Sequence, residues 1–163
     1  MVSLLKRIVS GGQTGVDRGA LDAALEMQFP CGGWCPAGRL AEDGAIPERY
    51  PLTELPNAGY EERTLRNLLD TDGTVVIHSG SLSGGTLETY EWCVARGKPV
   101  KTIDSAVTPQ ATAAEEIGRF MERHNIETLN VAGPRASKAP QAQQYTREAV
   151  TLMLERYVKP FLK

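Results

Sequence analysis

The chain has 163 residues, among them 16 Gly and 10 Pro, together about 16% where average usage is about 12%. Its 41% hydrophobic and 23% charged residues are globular values, which excludes disorder, collagen and coiled coil. A net charge of −2 argues against broad attraction to nucleic acid or to an anionic membrane and leaves room only for a local basic pocket.

No run approaches 18 apolar residues, and Lys6 and Arg7 interrupt the stretch that a signal peptide would keep apolar. Three cysteines are odd in number and too sparse for a disulfide scaffold, so a soluble cytoplasmic protein is expected.

Four short apolar, β-branched runs read as strands: residues 5–10, 74–79, 99–104 and 128–132. After the first, Val16, Ala20, Ala23, Ala24 and Met27 recur at helical spacing. A weaker strand signal lies at 31–34. Residues 60–70 read as a helix with Leu65, Leu68 and Leu69 as core candidates and Glu62 paired to Arg66. Residues 86–96 form the next helix, with Leu87, Tyr90 and Val94 on one side and a stop at Gly97 and Pro99. Thr108 is the expected N-cap, and Pro109 the first residue, of a helix with Ile117, Phe120, Met121 and His124 on one face. The last helix is expected over 141–159, apolar at Tyr145, Ala149, Leu152 and Met153. Strands alternating with helices predict one α/β domain over 1–163: a Rossmann-like, doubly wound, mostly parallel sheet sandwiched by helices.

Residues 30–59 differ in composition, with 5 Gly and 5 Pro in 30 positions. So long a loop in a compact domain is disordered or functional. Its Trp34, Arg39, Glu42, Asp43, Glu48, Arg49 and Tyr50 favour an ordered loop that covers a site or meets another subunit.

Parallel sheets bind ligands beyond the carboxyl ends of their strands, and three predicted loops there suit an anion. Gly11, Gly12, Gln13, Thr14 and Gly15 lead into a helix that carries Asp17 and Arg18 in its first turn, so free backbone N–H groups could face a phosphate. The plainer reading is a tight turn capped by Thr14. The dinucleotide fingerprint G-x-G-x-x-G fails, because Ser10 stands where its first glycine belongs.

The second loop holds Ser79, Gly80, Ser81, Ser83, Gly84, Gly85 and Thr86. It resembles a P-loop without the lysine, which leaves an anion cradle but no basis for NTP hydrolysis. Glu88 falls in the first turn of the predicted helix. The third loop carries Gly133, Pro134, Arg135 and Lys138, with Arg135 suited to bidentate contact with a phosphate. No metal site is expected: Cys31 and Cys35 have the wrong spacing for a complete zinc set and His78 and His124 are remote from them. His78, at the end of a buried strand, reads first as structural.

Four segments in register resemble a known family: SGGQTGVDRGALDAAL at 10–25, GWCPAGRLAEDGAIPERYPL at 33–52, SGGTLET at 83–89 and LNVAGPRASKAP at 129–140. They are similar to the molybdenum carrier family, a circularly permuted branch of the SLOG group of Rossmann-like nucleotide-binding proteins. The resemblance implies a cytosolic homo-oligomer, dimer or tetramer, that carries a phosphorylated ligand, molybdenum cofactor (molybdopterin) first, on the three glycine loops. Phosphoribohydrolases of the same wider group cleave nucleoside monophosphates at P-G-G-x-G-T-x-x-E. Here that stretch lacks the proline and one glycine, and Glu88 falls one residue early, a turn of about 100° on a helix. A nucleotide hydrolase using Glu88 is the alternative to a carrier.

Overall fold

A computed structural model describes residues 3–158. Its elements, in chain order, are β1 (Arg7–Val9), α1 (Val16–Glu26), β2 (Cys31–Gly32), β3 (Trp34–Cys35), a 3-10 turn (Ala37–Arg39), β4 (Leu40–Ala41), β5 (Gly44–Ala45), β6 (Thr53–Glu54), α2 (Tyr60–Leu69), β7 (Gly73–His78), α3 (Gly84–Ala95), β8 (Val100–Asp104), α4 (Gln110–His124), β9 (Thr128–Ala132), α5 (Ala142–Met153) and a π turn (Leu154–Val158). The last helix therefore changes pitch after Met153, and its expected end at Lys159 lies outside the described residues.

The main sheet is wholly parallel with the order β2-β1-β9-β7-β8. Val75, Val76, Ile77, Leu129 and Val131 are buried on it, as continuous apolar strands covered on both faces require. On one face α5 packs between α1 and α4; α2 and α3 pack together on the other. The α1–α5 approach is close because Gly19 has no side chain: a Cβ there would lie 2.4 Å from the Gln143 carbonyl oxygen. This is the predicted doubly wound sandwich.

Several local expectations change. Pro109, extended at φ −59 and ψ 151, is the N-cap of α4 and Thr108 lies outside the helix. In α2, Glu62 turns back to accept the Gly59 N–H at 3.0 Å, so Arg66 pairs with Asp70 at 2.9 Å instead. Leu69 is exposed, and Lys98 donates to the carbonyls of Leu69 and Thr71 beside it. α3 buries Thr89 and Cys93, leaving Val94 56% exposed; the seam chosen from apolar spacing is not the one that meets the sheet.

Residues 30–59 are ordered. β2 adds an edge strand to the main sheet, β3 pairs with β6, β4 pairs with β5, and Cys35, Ala41, Ile46 and Tyr50 close a second small core on Leu21. Arg39, at φ +54, holds it from inside by donating to the carbonyls of Ile46, Pro47, Tyr50 and Leu52. Burial and the acceptor Asp22, 2.7 Å from the Tyr50 hydroxyl, push that phenol up to about 12.

Candidate functional site

β1, β9 and β7 are neighbours in the sheet, so the loops that leave their carboxyl ends must meet. They enclose a cleft of about 210 Å³. Of the residues expected at the site, Gln13, Ser79, Ser81, Ser83, Gly85, Thr86, Gly133, Pro134, Arg135 and Lys138 line it. Gly11, Gly12, Thr14, Gly15, Arg18, Gly80, Gly84 and Glu88 do not.

The second loop supplies the anion end. α3 begins at Gly84, two residues earlier than its apolar pattern suggests, and Ser83 makes no side-chain cap. The N–H groups of the first turn are thus left to solvent or to a bound anion. No acidic residue lies in that turn; Glu88 sits one turn further along, half-buried and off the cleft wall, which corrects its expected position. The Lys138 ammonium stands 3.4 Å from the place a Gly84 Cβ would occupy, so the third loop sets a cation beside the helix start.

The glycines of the first loop serve packing. A Cβ on Gly11 would lie 2.5 Å from Arg63 Nη1, on Gly12 2.3 Å from Leu52 Cδ1, and on Gly15 2.4 Å from the Pro134 carbonyl oxygen. Gly15 is the N-cap of α1, and the Thr14 hydroxyl, instead of capping it, bonds Glu42 and accepts from the Ala136 N–H at 3.1 Å. Arg18 faces away from the cleft: it donates to the Gly12 carbonyl at 3.0 Å and clasps Asp43 at 2.7 and 2.8 Å. Gln13 reaches the cleft while its Oε1 accepts from the N–H groups of Thr14 and Glu42.

Residues 30–59 contribute nothing to the lining, so the cover expected over the ligand is instead a support behind the loops. Glu42 joins the Thr14 hydroxyl to the Ser137 N–H, and the Ser137 and Thr14 hydroxyls hold its carboxyl below the usual range.

Sequence reasoning missed Arg63 on α2. It is 5% exposed, lines the cleft, and donates through Nη1 to the Gly11 carbonyl at 2.6 Å. Asp17 lies 3.9 Å from Nη1; burial raises its carboxyl above the ordinary value against the opposing pull of Arg63 and the Gln13 N–H. A signal existed: Arg63 and Asn67, spaced i, i+4, take the inward face that Leu68 shares. Among the described residues, the cleft therefore carries Arg63, Arg135 and Lys138 against Asp17 alone of the carboxylates. Among the described residues no group of three or more His, Cys, Asp or Glu is placed to share a metal ion.

Fold and site together define a parallel α/β protein with a basic, hydroxyl-lined cleft at the carboxyl edge of its sheet. The model of the circularly permutated YpsA SLOG family matches residues 8–154, and the chain belongs to that family. It is similar to a solved structure from Syntrophus aciditrophicus SB named "putative molybdenum carrier protein", with 43% identity over 94% of this chain and 98% of that one and a TM-score of 0.91. No curated protein matches significantly. Among the described residues no helix is long and apolar enough to cross a membrane.

Proposed function

We propose that this protein binds and carries a phosphorylated small molecule, with molybdenum cofactor as the first cargo to test. One observation carries the reading: the uncapped start of α3 opens into a cleft whose side-chain charges are three cations and one carboxylate. A phosphate there would receive first-turn N–H groups, the hydroxyls of Ser81, Ser83 and Thr86, and the charges of Arg135 and Lys138. The Syntrophus aciditrophicus protein is named for carrying molybdenum, which is compatible with molybdenum cofactor as cargo here. The hydrolytic alternative has no comparable support, because Glu88 is not at the wall.

Native mass spectrometry with molybdenum analysis, on protein purified from cells that make the cofactor, tests the cargo. A phosphorylated pterin adduct is expected, lost in Thr86→Val and Arg135→Ala while thermal unfolding stays within a few degrees. Full occupancy by a nucleotide would replace the cargo; unchanged affinity for phosphorylated ligands in both variants would remove the site.

A further inference from the structure

His78 ends β7 and lines the cleft. It is held from three sides. Its carbonyl accepts from Ser105 N–H at 2.7 Å and from the Ser105 hydroxyl at 2.9 Å, and its Nδ1 lies 2.7 Å from the Gly80 carbonyl oxygen. Gly80, at φ +74, is itself fixed by its N–H on Asp104 Oδ1 at 3.0 Å. A carbonyl can only accept, so Nδ1 carries its hydrogen in either charge state. Protonation therefore happens at Nε2, the ring nitrogen with no hydrogen-bond partner among the described residues.

We propose that His78 is a contact residue for the bound anion: it donates from a protonated Nε2 to an oxyanion oxygen, and binding is accompanied by uptake of a proton. This rests on the anion-cleft reading above. The charged and titratable groups around the ring are Asp104, its register partner on β8, and Asp17, Tyr60, Arg63, Arg135 and Lys138, which share the cleft. A bound dianion supplies an acceptor for a hydrogen that Nε2 carries only in the imidazolium, so ligand and proton favour each other's binding reciprocally.

Sulfate stays dianionic from pH 6 to 8 and is the probe, titrated calorimetrically in buffers of different ionisation enthalpy. Its affinity should fall over that interval, by at most about tenfold per pH unit for one proton. Apparent binding heats should differ between buffers. Both effects should vanish in His78→Asn, whose amide can still donate to the Gly80 carbonyl, and persist in His124→Asn on the exposed end of α4. With two histidines in the chain, NMR of the native protein provides a second test: sulfate should raise the titration midpoint of His78 and leave that of His124 in place. Affinity independent of pH, pH dependence retained in His78→Asn, or an unmoved His78 midpoint would overturn the proposal. Failure of sulfate and inorganic phosphate to bind at any pH would instead overturn the anion cleft itself, and this contact with it.

Discussion

Gly15→Ala tests whether the glycines of the first loop hold the cleft together by close packing. Gly15 sits at φ 85 and ψ −130, a conformation that costs a residue with a side chain about 1–3 kcal/mol. The new methyl would also meet backbone: the Pro134 carbonyl oxygen at 2.4 Å, the Ala136 nitrogen at 2.8 Å and the Arg135 carbonyl carbon at 2.9 Å. None of these can rotate aside, so the first and third loops must separate. That movement removes the hydrogen bonds Val16 N–H to Pro134 at 3.2 Å and Ala136 N–H to Thr14 Oγ1 at 3.1 Å, at about 1 kcal/mol each. The expected total is about 3–5 kcal/mol, or roughly 6–20 °C in Tm for a chain of this size. Urea denaturation and calorimetry measure it, with sulfate titration alongside to detect the displaced Arg135. Gly38→Ala, at φ +76 with nothing within 4 Å, is the comparison and should lose only about 1–2 kcal/mol with anion affinity intact. A loss below about 1 kcal/mol in Gly15→Ala, with unchanged sulfate affinity, would refute the packing argument.

Gly85→Ala should separate stability from binding: no φ strain or neighbour opposes a Cβ there, so helix propensity gains up to about 1 kcal/mol while the methyl intrudes on the anion and lowers sulfate affinity. Equal affinity in the variant would place the anion elsewhere. Asp43→Asn leaves the buried Arg18 guanidinium without its charge partner; with Asp43 half exposed, the expected loss is about 1 kcal/mol by urea denaturation, with sulfate affinity within twofold of native. A larger affinity change would return Arg18 to the ligand. Glu42 has a folded-state carboxyl below its usual 4.5, so its stabilisation is present at neutral pH and disappears as pH falls through that lowered value. Because Glu42 is exposed, the contribution is at most about 1 kcal/mol, and Glu42→Gln should shrink the difference in unfolding free energy between pH 7 and pH 3.5, measured by urea denaturation, by up to that amount. An unchanged gap would deny Glu42 any role in joining the first and third loops.

The convergence of three loops was legible because it follows from topology: buried apolar runs separated by helices make a parallel sheet, and such a sheet brings its carboxyl-end loops together. What each glycine does there was not legible. Gly11 and Gly85 look alike in a sequence, yet one makes room for Arg63 and the other leaves a helix start open, because only the fold says what stands opposite a missing Cβ. Arg63 escaped notice for the same reason: its buried position depends on the absent side chain at Gly11, 52 residues away. The role of 30–59 was hidden by composition, since Pro and Gly signal irregular backbone without saying whether it covers a ligand or braces a wall. For α3, apolar residues occur around the whole circumference, so periodicity cannot choose the seam that Thr89 and Cys93 occupy.

The contacts that fix the first loop, from Gly12 against Ile46 and Leu52 to Gly15 against Pro134, are formed when the chain folds. A ligand then meets a wall already in place, and little of its binding energy goes into ordering backbone. Its effect on unfolding follows RT ln(1 + [L]/Kd), with a Kd that carries little cost for loop ordering. Denaturation midpoints across a series of candidate cargoes would therefore rank their affinities without a spectroscopic label, and a single thermal-shift screen could choose between pterin and nucleotide.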